Sequence, residues 1–283
     1  MESVGAEVDG FRTGDPVLVY LVWACGECRQ CREGRDNACS VAGSRHAAPP
    51  APGLGPPGGM AEYIVSKARY LEPLGDLDPV VAGPLTDAAL TSYHAIAGAQ
   101  HRLTPGSTAV VIGLGGLGHV GLQILAAVSP ARLIGVDVSQ AKLDLAAAHG
   151  AAHTLLSDER TAEEVLELTA GYGADVVFDF SGVQATVDLA RQIIAPDGAL
   201  RFVGLGGGTM TFGASPLADL PWGVDVRKSY GGTRADQRAV LELARAGKIT
   251  IETQRYELED GVQAFADLEA GRILGRAILV PAR

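Results

Sequence analysis

The chain has 283 residues, 47% hydrophobic and 20% charged, enough for a substantial core in one large domain or two of ordinary size. A net charge of −10 without a basic patch argues against nucleic acid as a partner. No run approaches the roughly 18 to 20 consecutive apolar residues of a membrane span, and no basic, apolar-cored leader opens the chain.

The first 70 residues read as short strands and turns, beginning with Val17-Leu18-Val19-Tyr20-Leu21-Val22. The loop that follows holds all four cysteines, Cys25, Cys28, Cys31 and Cys39, with spacers of two, two and seven residues. Short spacers let thiolates from one loop converge on a single ion, and four thiolates match the closed tetrahedral site that zinc favours. Arg29, Arg32 and Arg35 are interleaved with them. Guanidinium groups there would offset the formal charge of about −2 on a four-thiolate zinc centre. Two disulfides in an exported protein, or four unrelated thiols, are the competing readings, and nothing else in the chain looks exported. A reduced metal site points to the cytoplasm. Four protein ligands leave no open position, so such a zinc is structural and the chemistry lies elsewhere.

A Pro/Gly-rich connector at 49–59 leads to a strand expected at 61–65. From Asp78 the pattern changes to one helix carrying Asp87, Leu90 and Tyr93. After Pro105-Gly106, apolar strands at 109–112, 133–136, 176–180 and 200–203 alternate with amphipathic segments such as 141–148 and 162–168. Alternating β and α with fully apolar strands implies a parallel sheet covered on both faces. The end of the chain reads as helix at 234–247, helix at 261–271 and strand at 276–280.

Directly after Thr108-Ala109-Val110-Val111-Ile112 comes Gly113-Leu114-Gly115-Gly116-Leu117-Gly118, opening a helix. In a G-x-G-x-x-G turn the first glycine permits the bend, the second lets backbone approach a pyrophosphate, and the third lets helix pack on strand. Amides at the helix start would bind the phosphates. Asp137 ends the next strand, nineteen residues past Gly118, where a carboxylate accepts from ribose hydroxyls and repels a 2′-phosphate. NAD is therefore expected over NADP. The competing reading of Asp137 is a residue that starts the next helix before Ser139.

A four-cysteine lobe ahead of this turn, with Gly59-Met60-Ala61-Glu62-Tyr63 between them, resembles the zinc-containing medium-chain alcohol dehydrogenases. The run Pro84-Leu85-Thr86-Asp87 is most similar to bacterial secondary-alcohol dehydrogenases. The resemblance implies an α/β fold: a Rossmann-type doubly wound sheet at 87–232, plus a truncated GroES-like β-barrel catalytic domain with the zinc lobe at 1–86. The segment 233–283 would return to the catalytic domain. It further implies hydride transfer between NAD and an alcohol or ketone, a catalytic zinc that binds the substrate oxygen, and a homodimer or homotetramer at full length. Asp87 matches one protein ligand of that catalytic zinc, its other reading being a helix N-cap after Pro84. Thr91 and Leu117 are placed beside the nicotinamide, Lys142 near the adenosine ribose, Val203, Gly204 and Leu205 at the nicotinamide end, and Arg276 at the pyrophosphate.

The family's other two catalytic ligands, a cysteine and the histidine of a Gly-His-Glu motif, lie upstream of the run seen here as Val4-Gly5-Ala6-Glu7-Val8. No cysteine precedes Cys25 and no histidine precedes His46. His94 is seven positions beyond Asp87, about 10 Å along a continuous helix, too far to share its metal directly. An N-terminus shortened by a misplaced start or a truncation is expected. The alternative is an inactive remnant that still binds NAD and zinc.

Overall fold

The computed structural model describes residues 1–213 and 220–282. The chain divides into two compact units, one formed by Met1–Leu90 with Gly231–Arg283, the other by Thr91–Tyr230.

In the first unit β1 (Val17–Val19) pairs antiparallel with β2 (Leu71–Pro73), Leu18 opposite Glu72. Between them lie α1 (Arg29–Arg32) and two single-turn 3-10 helices, Asp36–Ala38 and Ala68–Tyr70. The stretch expected as a strand at 61–65 is irregular instead, with Tyr63 and Val65 exposed. Strand-forming residues need a ladder partner, and none of the described strands pairs with this segment.

The single helix expected from Asp78 is broken into three pieces. Asp78 caps α2 (Pro79–Ala82) by accepting from the Val80 amide at 2.9 Å, with Pro79 at the first helical position. Pro84 then sits in a 3-10 turn, Gly83–Thr86, and α3 (Ala88–Ala97) begins only after Asp87. Proline has no amide to continue an α-helical ladder, which accounts for the interruption.

The second unit is a six-stranded, all-parallel sheet in the order β5-β4-β3-β6-β7-β8. Its members are β3 (Thr108–Ile112), β4 (Arg132–Asp137), β5 (His153–Leu156), β6 (Ala174–Asp179), β7 (Ile194–Phe202) and β8 (Asp225–Lys228). The connecting helices are α4 (Gly118–Val128), α5 (Gln140–Ala148), α6 (Thr161–Leu168) and α7 (Gln184–Ile193). All five residues of β3 are buried, as an interior parallel strand requires. The edge strands β5 and β8 are partly polar and were not legible as apolar runs. Charged side chains also enter this core. Arg201 on β7 is fully buried and donates to the Gly98 carbonyl at 3.0 Å, the Asp225 carbonyl at 2.9 Å and the Asp225 carboxylate at 2.6 Å.

The chain then returns to the first unit. Helix α8 (Arg234–Arg245) starts from a capping box in which Thr233 and Asp236 satisfy each other's amides. β9 (Thr253–Glu257) and β10 (Arg276–Val280) pair in parallel, joined through α9 (Gly261–Glu269). Among the described residues no helix is long and apolar enough to cross a membrane.

Candidate functional site

Two sites are built from local motifs, one in each unit. In the first, the sulfurs of Cys25, Cys28, Cys31 and Cys39 all lie within 4.8 Å of one another. The separations are 3.5 Å for Cys28–Cys31, 3.8 Å for Cys28–Cys39 and 3.9 Å for Cys25–Cys31. A regular tetrahedron with zinc–sulfur bonds of about 2.3 Å has edges of about 3.8 Å. The four thiols therefore fit a structural zinc. Backbone amides of Cys25, Glu27, Cys28 and Ala42 point at the sulfurs over 3.3–3.4 Å. The Cys31 amide draws the Cys28 thiol down to about 6, while burial and the Cys28 sulfur push Cys31 up to about 12. The sequence pointed to arginines as the counter-charge, but Arg29 and Arg35 both pair with Glu33. The direct donors to the sulfurs are the backbone amides, whose dipoles favour the thiolate forms.

The lobe hangs from residues that no cysteine spacing reveals. Arg69 donates to the Cys25 carbonyl at 2.8 Å and to the Tyr70 hydroxyl at 2.7 Å. Tyr70 donates to the Ala24 carbonyl at 2.9 Å and stacks on Trp23. Asp36, between two of the ligands in sequence, accepts from the Tyr20 hydroxyl at 2.6 Å and the Arg234 amide at 3.2 Å. Burial, reinforced by that carboxylate, pushes the Tyr20 hydroxyl up and keeps it a donor.

In the second unit the glycine turn sits at the carboxyl end of β3, next to the point where strand order reverses between β3 and β6, the place where doubly wound sheets bind ligands. Gly113 has φ +83°, and a Cβ on Gly118 would stand 1.8 Å from the Gly113 carbonyl oxygen, so neither position tolerates a side chain. A Cβ on Gly115 would meet nothing within 4 Å. The backbone is thus open where a pyrophosphate would approach. Gly116 and Leu117 complete the turn, and the Leu117 carbonyl accepts from Ser92 at 3.1 Å. Asp137 is buried. It accepts from the Leu114 amide at 2.7 Å and the Ser139 amide at 3.0 Å, with the Lys142 ammonium 3.6 Å away. A carboxylate offers about four lone-pair directions, so ribose hydroxyls can still be accepted. His119 donates from Nδ1 to the Gly115 carbonyl at 2.8 Å, steadying the turn. Thr91 is buried at the start of this unit; Val203 is buried, while Leu205 is exposed on the loop after β7.

Asp87 lies in the first unit, in the break between helices, and accepts from the Arg276 guanidinium at 3.2 Å. The structure thus joins two residues that the sequence assigned to different ligands. Apart from the four cysteines, the described residues contain no group of three or more His, Cys, Asp or Glu side chains placed to hold a metal. They do not complete a catalytic zinc centre around Asp87.

Residues 1–76 match the family described as alcohol dehydrogenase GroES-like domain, and residues 116–246 the family described as zinc-binding dehydrogenase. An NAD-dependent alcohol dehydrogenase of Sulfurisphaera tokodaii is 36% identical, covering 99% of this chain and 79% of that protein. A D-arabinose 1-dehydrogenase (NADP(+)) of Saccharolobus solfataricus is 33% identical over 97% of this chain and 77% of its own length. The crystal structure of the alcohol dehydrogenase from Aeropyrum pernix superposes with a TM-score of 0.89 at 35% identity, covering 99% of this chain and 80% of that one. The motifs, the six-stranded sheet and these relatives agree, and the chain belongs to the zinc-containing medium-chain alcohol dehydrogenase family.

Proposed function

We propose that the chain is an NAD-dependent oxidoreductase whose substrate pair is a small secondary alcohol and its ketone. The observation that carries this reading is the open glycine turn at the carboxyl end of β3, with Asp137 bonded to the Leu114 amide beside it. NAD bound there would accept the hydride. Gly113, Gly115 and Gly118 keep the backbone close and side-chain-free, and Asp137 accepts from the adenosine ribose. Lys142 lies beside that carboxylate, consistent with a place at the same ribose. Thr91, Leu117, Val203, Gly204 and Leu205 are assigned to the nicotinamide half by the family resemblance. Both NAD and NADP occur among the relatives' cofactors, and the carboxylate at Asp137 favours NAD because it repels a 2′-phosphate. The secondary alcohol rests on the Pro84-Leu85-Thr86-Asp87 run.

A second reading, binding of NAD and structural zinc without turnover, is favoured by one observation. Arg276 competes with any cation for the Asp87 carboxylate, and no neighbouring ligand set among the described residues offsets it. One guanidinium nitrogen of Arg276 donates to Asp87, and its other donors are compatible with the assignment to the pyrophosphate. Two measurements decide. Titration should show NAD binding at least about tenfold tighter than NADP, and Asp137→Asn should narrow that ratio; equal affinities for the unmodified protein would refute the cofactor assignment. Chelator-sensitive oxidation of a small secondary alcohol, with zinc supplied, would establish the dehydrogenase reading. NAD binding with no turnover would establish the second.

A further inference from the structure

Asp179, at the last position of β6, is 1% exposed, carries a carboxylate, and is not part of the glycine motif or the zinc lobe. One carboxylate oxygen accepts from the amides of Ser181 at 2.9 Å and Gly182 at 2.8 Å; the other accepts from the Thr186 hydroxyl at 2.9 Å. These bonds fold residues 180–183 into a tight turn leading to α7. The Asp179 backbone carbonyl at the same time accepts from the amides of Val203 at 2.8 Å and Gly204 at 3.0 Å, the first residues after β7. A single residue therefore holds two consecutive carboxyl-end loops of the sheet.

The two loops are pressed together backbone to backbone. A Cβ on Gly204 would lie 2.2 Å from the Ser181 carbonyl carbon, and one on Gly182 would lie 2.4 Å from the Gly204 carbonyl oxygen. Gly206 and Gly208 donate from their amides to the Ser181 and Gly182 carbonyls at 3.1 and 2.8 Å. No side chain fits in this seam, so the position of the loop after β7 is set by the shape of the turn after β6. The glycine turn after β3 has bonds of its own, Gly113–Val136 and Leu114–Asp137, of 2.8 and 2.7 Å. It also borders the turn after β6: a Cβ on Gly113 would lie 3.2 Å from the Ser181 nitrogen, and one on Gly118 would lie 3.4 Å from the Phe180 ring. In a doubly wound sheet each half carries one mononucleotide: β3 and β4 serve the adenosine side, β6 and β7 the other.

We propose that Asp179 is the positioning residue for the nicotinamide half of the cofactor, acting through the Val203–Gly204 loop more strongly than on the adenosine half, whose turn keeps bonds that do not involve Asp179. This rests on the NAD reading above. The test compares two probes, NAD and ADP, the second of which occupies only the adenosine half. Asp179→Ala should raise the Kd for NAD by about tenfold or more and leave that for ADP within about threefold. Asp179→Asn, whose amide oxygen can still accept from both backbone amides, should restore most of the NAD affinity. Thr186→Val removes one donor at nearly constant shape and guards against a failure of Asp179→Ala to fold; it should give a smaller loss, of about threefold, again mainly for NAD. A parallel loss of both probes would make Asp179 a general structural residue and overturn the proposal, as would unchanged NAD binding in Asp179→Ala or no recovery in Asp179→Asn. If the unmodified protein binds ADP but not NAD, the proposal falls; if it binds neither, the cofactor reading falls with it.

Discussion

The cysteine loop and the glycine turn are both short sequence patterns, yet they prepare for their ligands in opposite ways. Around the cysteines the buried apolar cluster is small, comprising Tyr20, Val22, Ala24, Cys39 and Leu90. The ligating atoms are side chains, and their convergence concentrates thiols that repel one another once ionised. A metal there supplies the cohesion that the lobe lacks, as in small zinc-stabilised folds. The glycine turn rests on the opposite foundation: β3 is buried along its whole length and eight residues of α4 are buried behind it. The groups it offers a ligand are mainly backbone amides, already oriented by strand and helix. Ligand loss should therefore disorder the first site and leave the second intact.

The largest expected effect is removal of the zinc. Coupled folding free energies of such sites are on the order of 10 kcal/mol, so Cys31→Ser or chelation should open the loop from 25 to 48 to limited proteolysis while the parallel sheet resists as before. Uniform resistance in both regions would contradict the comparison. Acid acts in the same direction. The Cys28 thiol is held down to about 6, so its thiolate is available above that pH and is lost as the pH falls through it; zinc should be released more steeply below about pH 6. Metal analysis after dialysis at stepped pH checks this.

Gly118→Ala is the counterpart in the sheet. A Cβ 1.8 Å from a backbone oxygen cannot be absorbed by a rotamer change, and a destabilisation of about 3 kcal/mol or more is expected, with NAD binding lost and zinc content unchanged. Chemical denaturation with parallel zinc assay measures both. A smaller effect follows from Asp225→Ala, which leaves the Arg201 charge buried without its carboxylate. Because Asp225 is itself partly exposed, about 2 kcal/mol is expected in place of the full cost of a buried pair. Burial tends to raise the Asp225 pKa, but the Arg201 bond and charge outweigh it and hold the group below the usual carboxylate value. Its stabilising contribution is thus complete above the ordinary carboxylate range and fades as the pH falls through the depressed value. Urea titration of the variant and the parent at neutral and acid pH should show the gap closing at low pH.

The smallest expected effect sharpens the account of the sulfur charges. Arg29→Ala and Arg35→Ala remove exposed partners of Glu33 and leave the amide donors in place. Zinc content and melting temperature should not change measurably. Loss of zinc in either variant would return the counter-charge role to the guanidiniums.

Local patterns made much of this legible. Four cysteines within one loop, five buried residues of β3 leading to Gly113, and a carboxylate after the next strand each act over a few residues, so their chemistry is written in their spacing. The helix from Asp78 was misread because Pro84 interrupts it, and the 61–65 strand because its apolar residues found no ladder partner. Arg69, Asp36 and Tyr20 could not be foreseen as supports of the lobe: their partners are the Cys25 carbonyl, the Arg234 amide and the Gly232 carbonyl, up to 212 residues away. The sequence alone determined which ligand-capable groups stand together in the cysteine loop and the glycine turn, because ligand type and glycine freedom are properties of single residues. Only the tertiary structure decided how they are held, that Arg276 lies on Asp87 and that Asp179 clasps two loops, because those bonds depend on where separate strands end in space.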